Sequence, residues 1–127
     1  MAAMTLESEV IAIHELQAGD AVGYAASYVC DKDTRVGTVA IGYGDGYSRS
    51  AGTGTPVIVN GQRARIIGRI SMDMCAVDLT GLTDVDVGSK VELWGRQLSV
   101  NEVARHCGTI PYTLFTGVTK RVPRHYI

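Results

Sequence analysis

The sequence predicts an all-β domain, a barrel-like or sandwich arrangement of mostly antiparallel strands with one or two short helices. Short segments rich in β-branched residues are separated by glycine-containing turns. An Asn60-Gly61 pair marks a tight hairpin turn, and a single segment carries clear helix-capping signals. At 127 residues with 46% hydrophobic content, the chain is long enough to bury the core of one domain.

Three strands are predicted in the first part of the chain. They are EVIAIHEL at 9–16, AVGYAASYV at 21–29 after an AGD turn, and RVGTVAIGY at 35–43. Alternation along the second strand places Tyr24 and Tyr28 on one face among small neighbours. We expect Tyr28 to pack, as an aromatic residue on a strand face usually does. The segment 44–56 contains four glycines and a proline, so it is predicted to be a loop.

The rest of the chain predicts a hairpin over 57–68, strands at 69–79 and 90–95, and one helix. Ser99 and Glu102 form a capping-box pattern, and Gly108 stands where that helix should end. A further turn of helix and a last strand are expected after it. Alternation in GRISMDM places Arg69, Ser71 and Asp73 opposite Ile70, Met72 and Met74, and the two methionines are typical of gap-filling core.

Composition excludes several classes of function. The formal net charge of −1 gives no electrostatic reason for a nucleic-acid or anionic membrane partner, and no apolar run approaches a membrane span. The first residues lack the features of a signal peptide. The scattered Cys30, Cys75 and Cys107 suggest a reducing compartment, and neither they nor the histidines have metal-ligand spacing.

We take residues 1–4 as leader residues or residues added in cloning, and 5–127 as one domain.

GYGDGYSR at 42–49 is not a dinucleotide-binding fingerprint, because no helix is predicted after its glycines. Its residue types fit a loop that cradles a phosphate and a bulged strand end that enters a loop about equally well. Composition and spacing therefore name no reaction.

Five motifs together are more specific. VGYAASYV, GTVAIGYGDGYSR, VNGQRARIIGRISMDMCAVDL, VARHCGTIPY and KRVPRHY resemble, in this order and spacing, the C-terminal domain of alanine racemases. These enzymes use pyridoxal phosphate (PLP) to interconvert L- and D-alanine for peptidoglycan precursors. The resemblance implies a cytoplasmic homodimer. In it, each C-terminal domain packs on its own N-terminal barrel and completes the active site of the partner's barrel.

The resemblance also implies roles for single residues. Tyr24 matches the catalytic base for one face of alanine, Met72 the residue whose backbone contacts the substrate carboxylate, and Tyr112 the tyrosine that binds the PLP phosphate. Other matches surround the site (Tyr43, Ser71 and Asp73), line the substrate channel (Arg49, Arg69 and Ile110) or lie near the C-terminus (Arg124). Ser71 stands where many relatives have cysteine, so no role is assigned to a sulfur there.

The family's PLP-binding lysine lies in the barrel, and none of Lys32, Lys90 and Lys120 lies in a matching motif. The isolated chain is therefore expected to be inactive. The alternative function is that of a stand-alone β-barrel binding or interaction module that inherited the fold without the reaction.

Overall fold

Six antiparallel strands close a barrel, which confirms the predicted fold class. The computed structural model describes residues 4–22, 27–45, 47–48, 50–108 and 125–126. The strands are β1 (Met4–Leu16), β2 (Ala21–Val22), β3 (Tyr28–Val29), β4 (Thr34–Val39), β5 (Pro56–Val59), β6 (Gln62–Ile67), β7 (Cys75–Asp78), β8 (Lys90–Trp94) and β9 (His125–Tyr126), and helix α1 spans Val100–Cys107. Around the barrel the hydrogen-bonded order is β1-β4-β7-β6-β5-β8, and β8 returns to β1.

Strand β1 closes the barrel because it is long enough to pair with two other barrel strands, β8 and β4. Its first half pairs with β8 from Leu6 to Glu9, and its second half pairs with β4 from Val10 to Leu16. The pairing register shifts once on each side, between Leu6 and Glu7 and between Val10 and Ala12. Such irregularities bend a strand, and this bend lets β1 serve both edges of the sheet. The predicted strand began only at residue 9.

The barrel interior is filled by aliphatic side chains from the inward-facing positions of the strands. Val10, Val39, Val59, Val77 and Val91 are completely buried, as expected for strands whose alternate residues face the core. Trp94 is also completely buried, and its ring lies 6.2 Å from that of Tyr47, measured between centroids. The loop that carries Tyr47 is therefore anchored in the core.

The predicted hairpin turn and the predicted helix ends are both confirmed, although Glu102 has a different partner from the one that a capping box implies. Asn60 and Gly61 have φ angles of 47° and 76° and join β5 to β6. Ser99 caps α1 by accepting a hydrogen bond from the Asn101 amide, and Gly108 ends the helix in the left-handed conformation. The reciprocal bond of a capping box is replaced, because the Glu102 carboxylate pairs with the Arg63 guanidinium instead.

Three further predicted strands have different bounds in the structure. The segment 21–29 is not one strand, because Ala21–Val22 and Tyr28–Val29 pair antiparallel with each other. The strand predicted at 35–43 ends at Val39, and a 3-10 turn follows at Tyr43–Asp45. The strand predicted at 69–79 begins only at Cys75, and a turn precedes it. All three differences fall in or beside segments in which the sequence predicts site residues.

At the C-terminal end, His125–Tyr126 pairs with Met4–Thr5, which confirms a last strand. The expected turn of helix before it falls within 109–124, outside the described residues. Within the described part of the chain, no helix has the length and apolar character needed to cross a membrane.

Candidate functional site

Two loops meet through their backbones at one end of β4 and β7. The Tyr43 amide donates to the Ser71 carbonyl at 3.1 Å, and the Gly44 amide donates to the Met72 carbonyl at 2.8 Å. Gly42 makes this approach possible. A Cβ at that position would lie 2.3 Å from the Ser71 carbonyl oxygen and 2.6 Å from that of Met72, closer than real Cβ atoms come. The GYGDG and SMD motifs thus form one structural unit, although Tyr43 and Met72 are 29 residues apart in the sequence.

The segment 71–74 is a turn that the Ser71 hydroxyl stabilises. Ser71 donates to the Met74 carbonyl both through its amide, at 3.0 Å, and through its hydroxyl, at 2.8 Å. The Met74 amide donates back to the same hydroxyl at 3.2 Å. A serine side chain that bonds nearby backbone competes with strand pairing, which explains why β7 starts only at Cys75. The predicted alternation of faces from Arg69 to Met74 is therefore wrong.

The turn and the loop that it contacts present three exposed residues with large apolar side chains. Met72 is 53% exposed, Met74 46% and Tyr43 37%, so the prediction that the two methionines fill the core is also wrong. The Met72 amide N–H has no hydrogen-bond partner among the described residues. A backbone donor in such an exposed residue is suited to contact a small anionic group such as a carboxylate.

Below the turn, the buried carboxylate of Asp45 organises the GYGDG loop. Its Oδ2 accepts from the Gly42 amide at 2.9 Å, and the Asp45 amide donates to the Gly42 carbonyl at 3.0 Å. Asp45 is not among the site residues expected from the sequence. An acidic residue three positions after a glycine, in a loop entered from a strand, is the signal that could have identified it, because Asp side chains often bond nearby backbone amides.

A pocket of about 320 Å³ lies beside the turn, between it and the β2–β3 hairpin. Most of its lining is apolar, with Arg69, Ser71 and Met74 contributed by the segment that contains the turn and Ala21 and Val22 by β2. The hairpin is tied to this segment because the Arg69 amide donates to the Ser27 hydroxyl at 2.6 Å. Residues 23–26, including Tyr24, lie outside the described residues.

Half of the site residues expected from sequence can be located. Tyr43, Ser71 and Met72 come together in the two loops, Asp73 is an exposed residue of the same turn, and Arg69 is an exposed residue that lines the neighbouring pocket. Tyr24, Arg49, Ile110, Tyr112 and Arg124 lie outside the described residues. Tyr28 is half-buried and packs against the small cluster of Val22, Cys30, Val36 and Ile67.

The core beneath the loops disfavours charge. Burial raises the pKa of the Cys75 thiol to about 12, and burial together with the nearby Cys75 and Cys107 raises the pKa of Tyr47 well above its ordinary value. Cys75 thus behaves as a small buried hydrophobic residue. Within the described ranges, no three His, Cys, Asp or Glu side chains are grouped so that they could hold a metal ion.

Comparison with known proteins agrees with this architecture. The sequence model of the family described as "Alanine racemase, C-terminal domain" matches residues 3–126. The alanine racemase of Hahella chejuensis is 56% identical over 124 residues, which are 98% of this chain and 33% of that protein. The catabolic alanine racemase of Pseudomonas putida is also 56% identical, over 98% of this chain and 34% of its own length.

Solved structures give the same result. The biosynthetic alanine racemase of Pseudomonas aeruginosa superposes with a TM-score of 0.92 at 53% identity, over 95% of this chain and 34% of that one. The alanine racemase of Bartonella henselae with covalently bound pyridoxal phosphate superposes with a TM-score of 0.86 at 34% identity, over 91% of this chain and 33% of that one. The chain spans about a third of the length of the curated relatives that it matches. It belongs to the alanine racemase C-terminal domain family.

Proposed function

We propose that this chain acts as the C-terminal domain of a PLP-dependent alanine racemase and supplies a base and a substrate-binding turn to its active site. Proteins named alanine racemase that are 56% identical to it support the activity. The observation that carries the proposal is the exposed turn at Met72, which the backbone of the neighbouring loop holds in place and whose N–H has no partner in the described part of the chain. That donor suits the carboxylate of an amino acid.

The described residues do not form a PLP site by themselves. The pocket beside the turn is lined by no lysine from the described part of the chain, and both Lys32 and Lys90 are exposed residues elsewhere. When bound, PLP supplies the capacity to stabilise negative charge at the substrate α-carbon. We propose that its lysine and most of its contacts come from an N-terminal barrel, as the family resemblance implies, and that Tyr112 donates a hydrogen bond to its phosphate.

Racemisation requires proton transfer on both faces of the α-carbon. We propose that the Tyr24 phenolate takes the proton from L-alanine, while a base on the barrel serves the opposite face. A phenol has an ordinary pKa near 10, so ionising it at pH 7 costs about 4 kcal/mol unless nearby cations offset the cost. Met72 would orient the substrate through its amide N–H. Tyr43, Ser71 and Asp73 would shape the surrounding wall, and Arg49, Arg69 and Ile110 would line the channel to it. We assign no separate role to Arg124.

The assembly and location follow from the same proposal. A homodimer would bring each domain to the partner's barrel, and the exposed Tyr43, Met72 and Met74 would then be covered by that contact. All three cysteines are buried free thiols, which suits the reducing cytoplasm. Without a barrel, the 127 residues with added PLP should give no alanine turnover.

The test is the exchange of the α-hydrogen of alanine in heavy water, measured by NMR on a full-length racemase that carries residues 5–127 as its C-terminal domain. Tyr24→Phe should lower racemisation in both directions by roughly 10²- to 10⁴-fold, the usual contribution of one acid–base group. Deuterium should enter D-alanine much faster than L-alanine, because only the L-face has lost its base.

Tyr28→Phe is the matched control, since Tyr28 packs against Val22 and Cys30 in the neighbouring cluster. Both of its exchange rates should stay within about threefold of the unmodified enzyme. Equal slowing for both enantiomers in Tyr24→Phe, or the asymmetric result in Tyr28→Phe, would show that Tyr24 is not the base. A full-length enzyme with no alanine turnover would refute the proposed function itself.

A further inference from the structure

Asp45 is a buried carboxylate, only 8% exposed, in the loop whose amides bond to the Met72 turn. It closes a small ring with Gly42, accepting the Gly42 amide through Oδ2 and donating its own amide to the Gly42 carbonyl. Burial of a carboxylate is costly unless it is hydrogen-bonded. The hydrogen bond from the Gly42 amide therefore offsets the cost of burying the Asp45 carboxylate. Together with the bond from the Asp45 amide, it fixes the conformation of residues 42–45.

The ring determines where the amides of Tyr43 and Gly44 point. Both donate to the facing turn, to the carbonyls of Ser71 and Met72 respectively. The Ser71 carbonyl and the Met72 N–H belong to the same peptide group, which is planar and trans. Because that carbonyl points toward Tyr43, the Met72 N–H must point the opposite way, out of the contact between the loops.

We propose that Asp45 is a positioning residue that sets the orientation of the Met72 amide by holding the 42–45 loop against the Ser71–Met72 peptide. Its effect on substrate binding depends on the proposed function, whereas its effect on the two loops does not. Loss of the Asp45 carboxylate should free the loop, loosen the hydrogen bonds from Tyr43 and Gly44, and allow the Ser71–Met72 peptide to rotate.

The chain contains a matched control for the simple structural role of a buried carboxylate. Glu92 is also 8% exposed, and its Oε2 accepts from the amides of Gln97 and Leu98 at 2.8 Å each. It organises the connection between β8 and α1. Removing either carboxylate frees backbone amides, but only Asp45 is linked to the Met72 turn.

The first experiment measures steady-state kinetics of Asp45→Ala, Asp45→Asn and Glu92→Ala in a full-length racemase that carries this domain. In Asp45→Ala, the KM for alanine should rise about tenfold or more while kcat changes less, because a contact to the substrate carboxylate is lost. Asp45→Asn retains an acceptor oxygen for the Gly42 amide, so its KM should stay within about threefold of that of the unmodified enzyme. Glu92→Ala should lower the amount of folded enzyme without changing KM.

The second experiment measures amide hydrogen exchange by NMR on the 127-residue chain and does not depend on catalysis. Asp45→Ala should speed exchange of the Tyr43 and Gly44 amides and leave Gln97 and Leu98 unchanged, whereas Glu92→Ala should give the reverse pattern. The proposal is overturned if Asp45→Ala leaves Tyr43 and Gly44 protected, if Glu92→Ala raises KM equally, or if Asp45→Asn is no better than Asp45→Ala. An inactive full-length enzyme with the expected exchange pattern would instead count against the proposed function alone.

Discussion

Replacing Gly42 with alanine tests the close contact that joins the two loops. The added Cβ would lie 2.3 Å from the Ser71 carbonyl oxygen, 2.6 Å from that of Met72 and 2.7 Å from the Met72 carbonyl carbon. Ordinary contacts begin near 3.4 Å, so the two backbones must separate by about 1 Å. Backbone atoms cannot rotate away as a flexible side chain could, and the hydrogen bonds from Tyr43 and Gly44 must therefore lengthen or break.

The expected loss of stability follows from these contacts. Two backbone hydrogen bonds contribute about 1 kcal/mol each, and overpacking of a rigid site adds about 1 kcal/mol or more. The lower chain entropy of alanine in the unfolded state returns about 0.5 kcal/mol. We therefore expect Gly42→Ala to lower the free energy of unfolding by roughly 2–3 kcal/mol, a large share of the total stability of a small domain.

Urea unfolding measures this loss, because the single tryptophan, Trp94, is completely buried and its fluorescence reports on the core. Gly52→Ala is the matched control. A Cβ at Gly52 would have as its nearest neighbour the Gly68 carbonyl oxygen at 3.8 Å, so its free energy of unfolding should change by no more than about 0.5 kcal/mol. If the two variants are equally stable, the two loops are not in rigid contact and the reasoning is wrong.

Three further predictions concern other parts of the barrel. Gly61→Ala should lower the free energy of unfolding by about 1 kcal/mol, because Gly61 has a φ of +76°, which disfavours a side chain. The nearest atom to an added Cβ lies 3.8 Å away, so the loss comes from the backbone conformation and not from a clash, and an unchanged urea midpoint would contradict this. Cys75 should resist iodoacetamide at pH 8 in the folded chain and react once urea is added, because burial raises its pKa to about 12, and full alkylation of the folded chain would show that Cys75 is accessible. The Arg63 guanidinium lowers the pKa of Glu102 below its ordinary 4.5, so the pair stabilises the fold above that pH and its contribution is lost as the pH falls through the lowered pKa. Glu102→Gln should therefore flatten the acid side of the stability profile measured by urea unfolding, and an identical profile in the two proteins would argue against the pair.

Features that depend on adjacent residues could be predicted from the sequence alone. Asn60-Gly61 supplies the positive φ angles of a hairpin turn, and Ser99 and Gly108 supply the two ends of a helix. Each of these signals acts within a few residues, so it does not depend on how distant parts of the chain fold. The repeated strand and turn signals likewise predicted an antiparallel all-β domain, which the closed barrel confirms. The ordered motifs pointed to the family that the comparisons establish.

The form of the candidate site depended on contacts between distant residues, and only the tertiary structure decided it. GRISMDM alternates like a strand, but the Ser71 hydroxyl and the amides of Tyr43 and Gly44 hold it in a turn, so Met72 and Met74 lie at the surface. AVGYAASYV reads as one strand, yet its two ends pair with each other. In GRISMDM the same side chains would suit a strand or a turn. The choice is made by the hydrogen-bond partners that the closed barrel brings close, and periodicity carries no information about them.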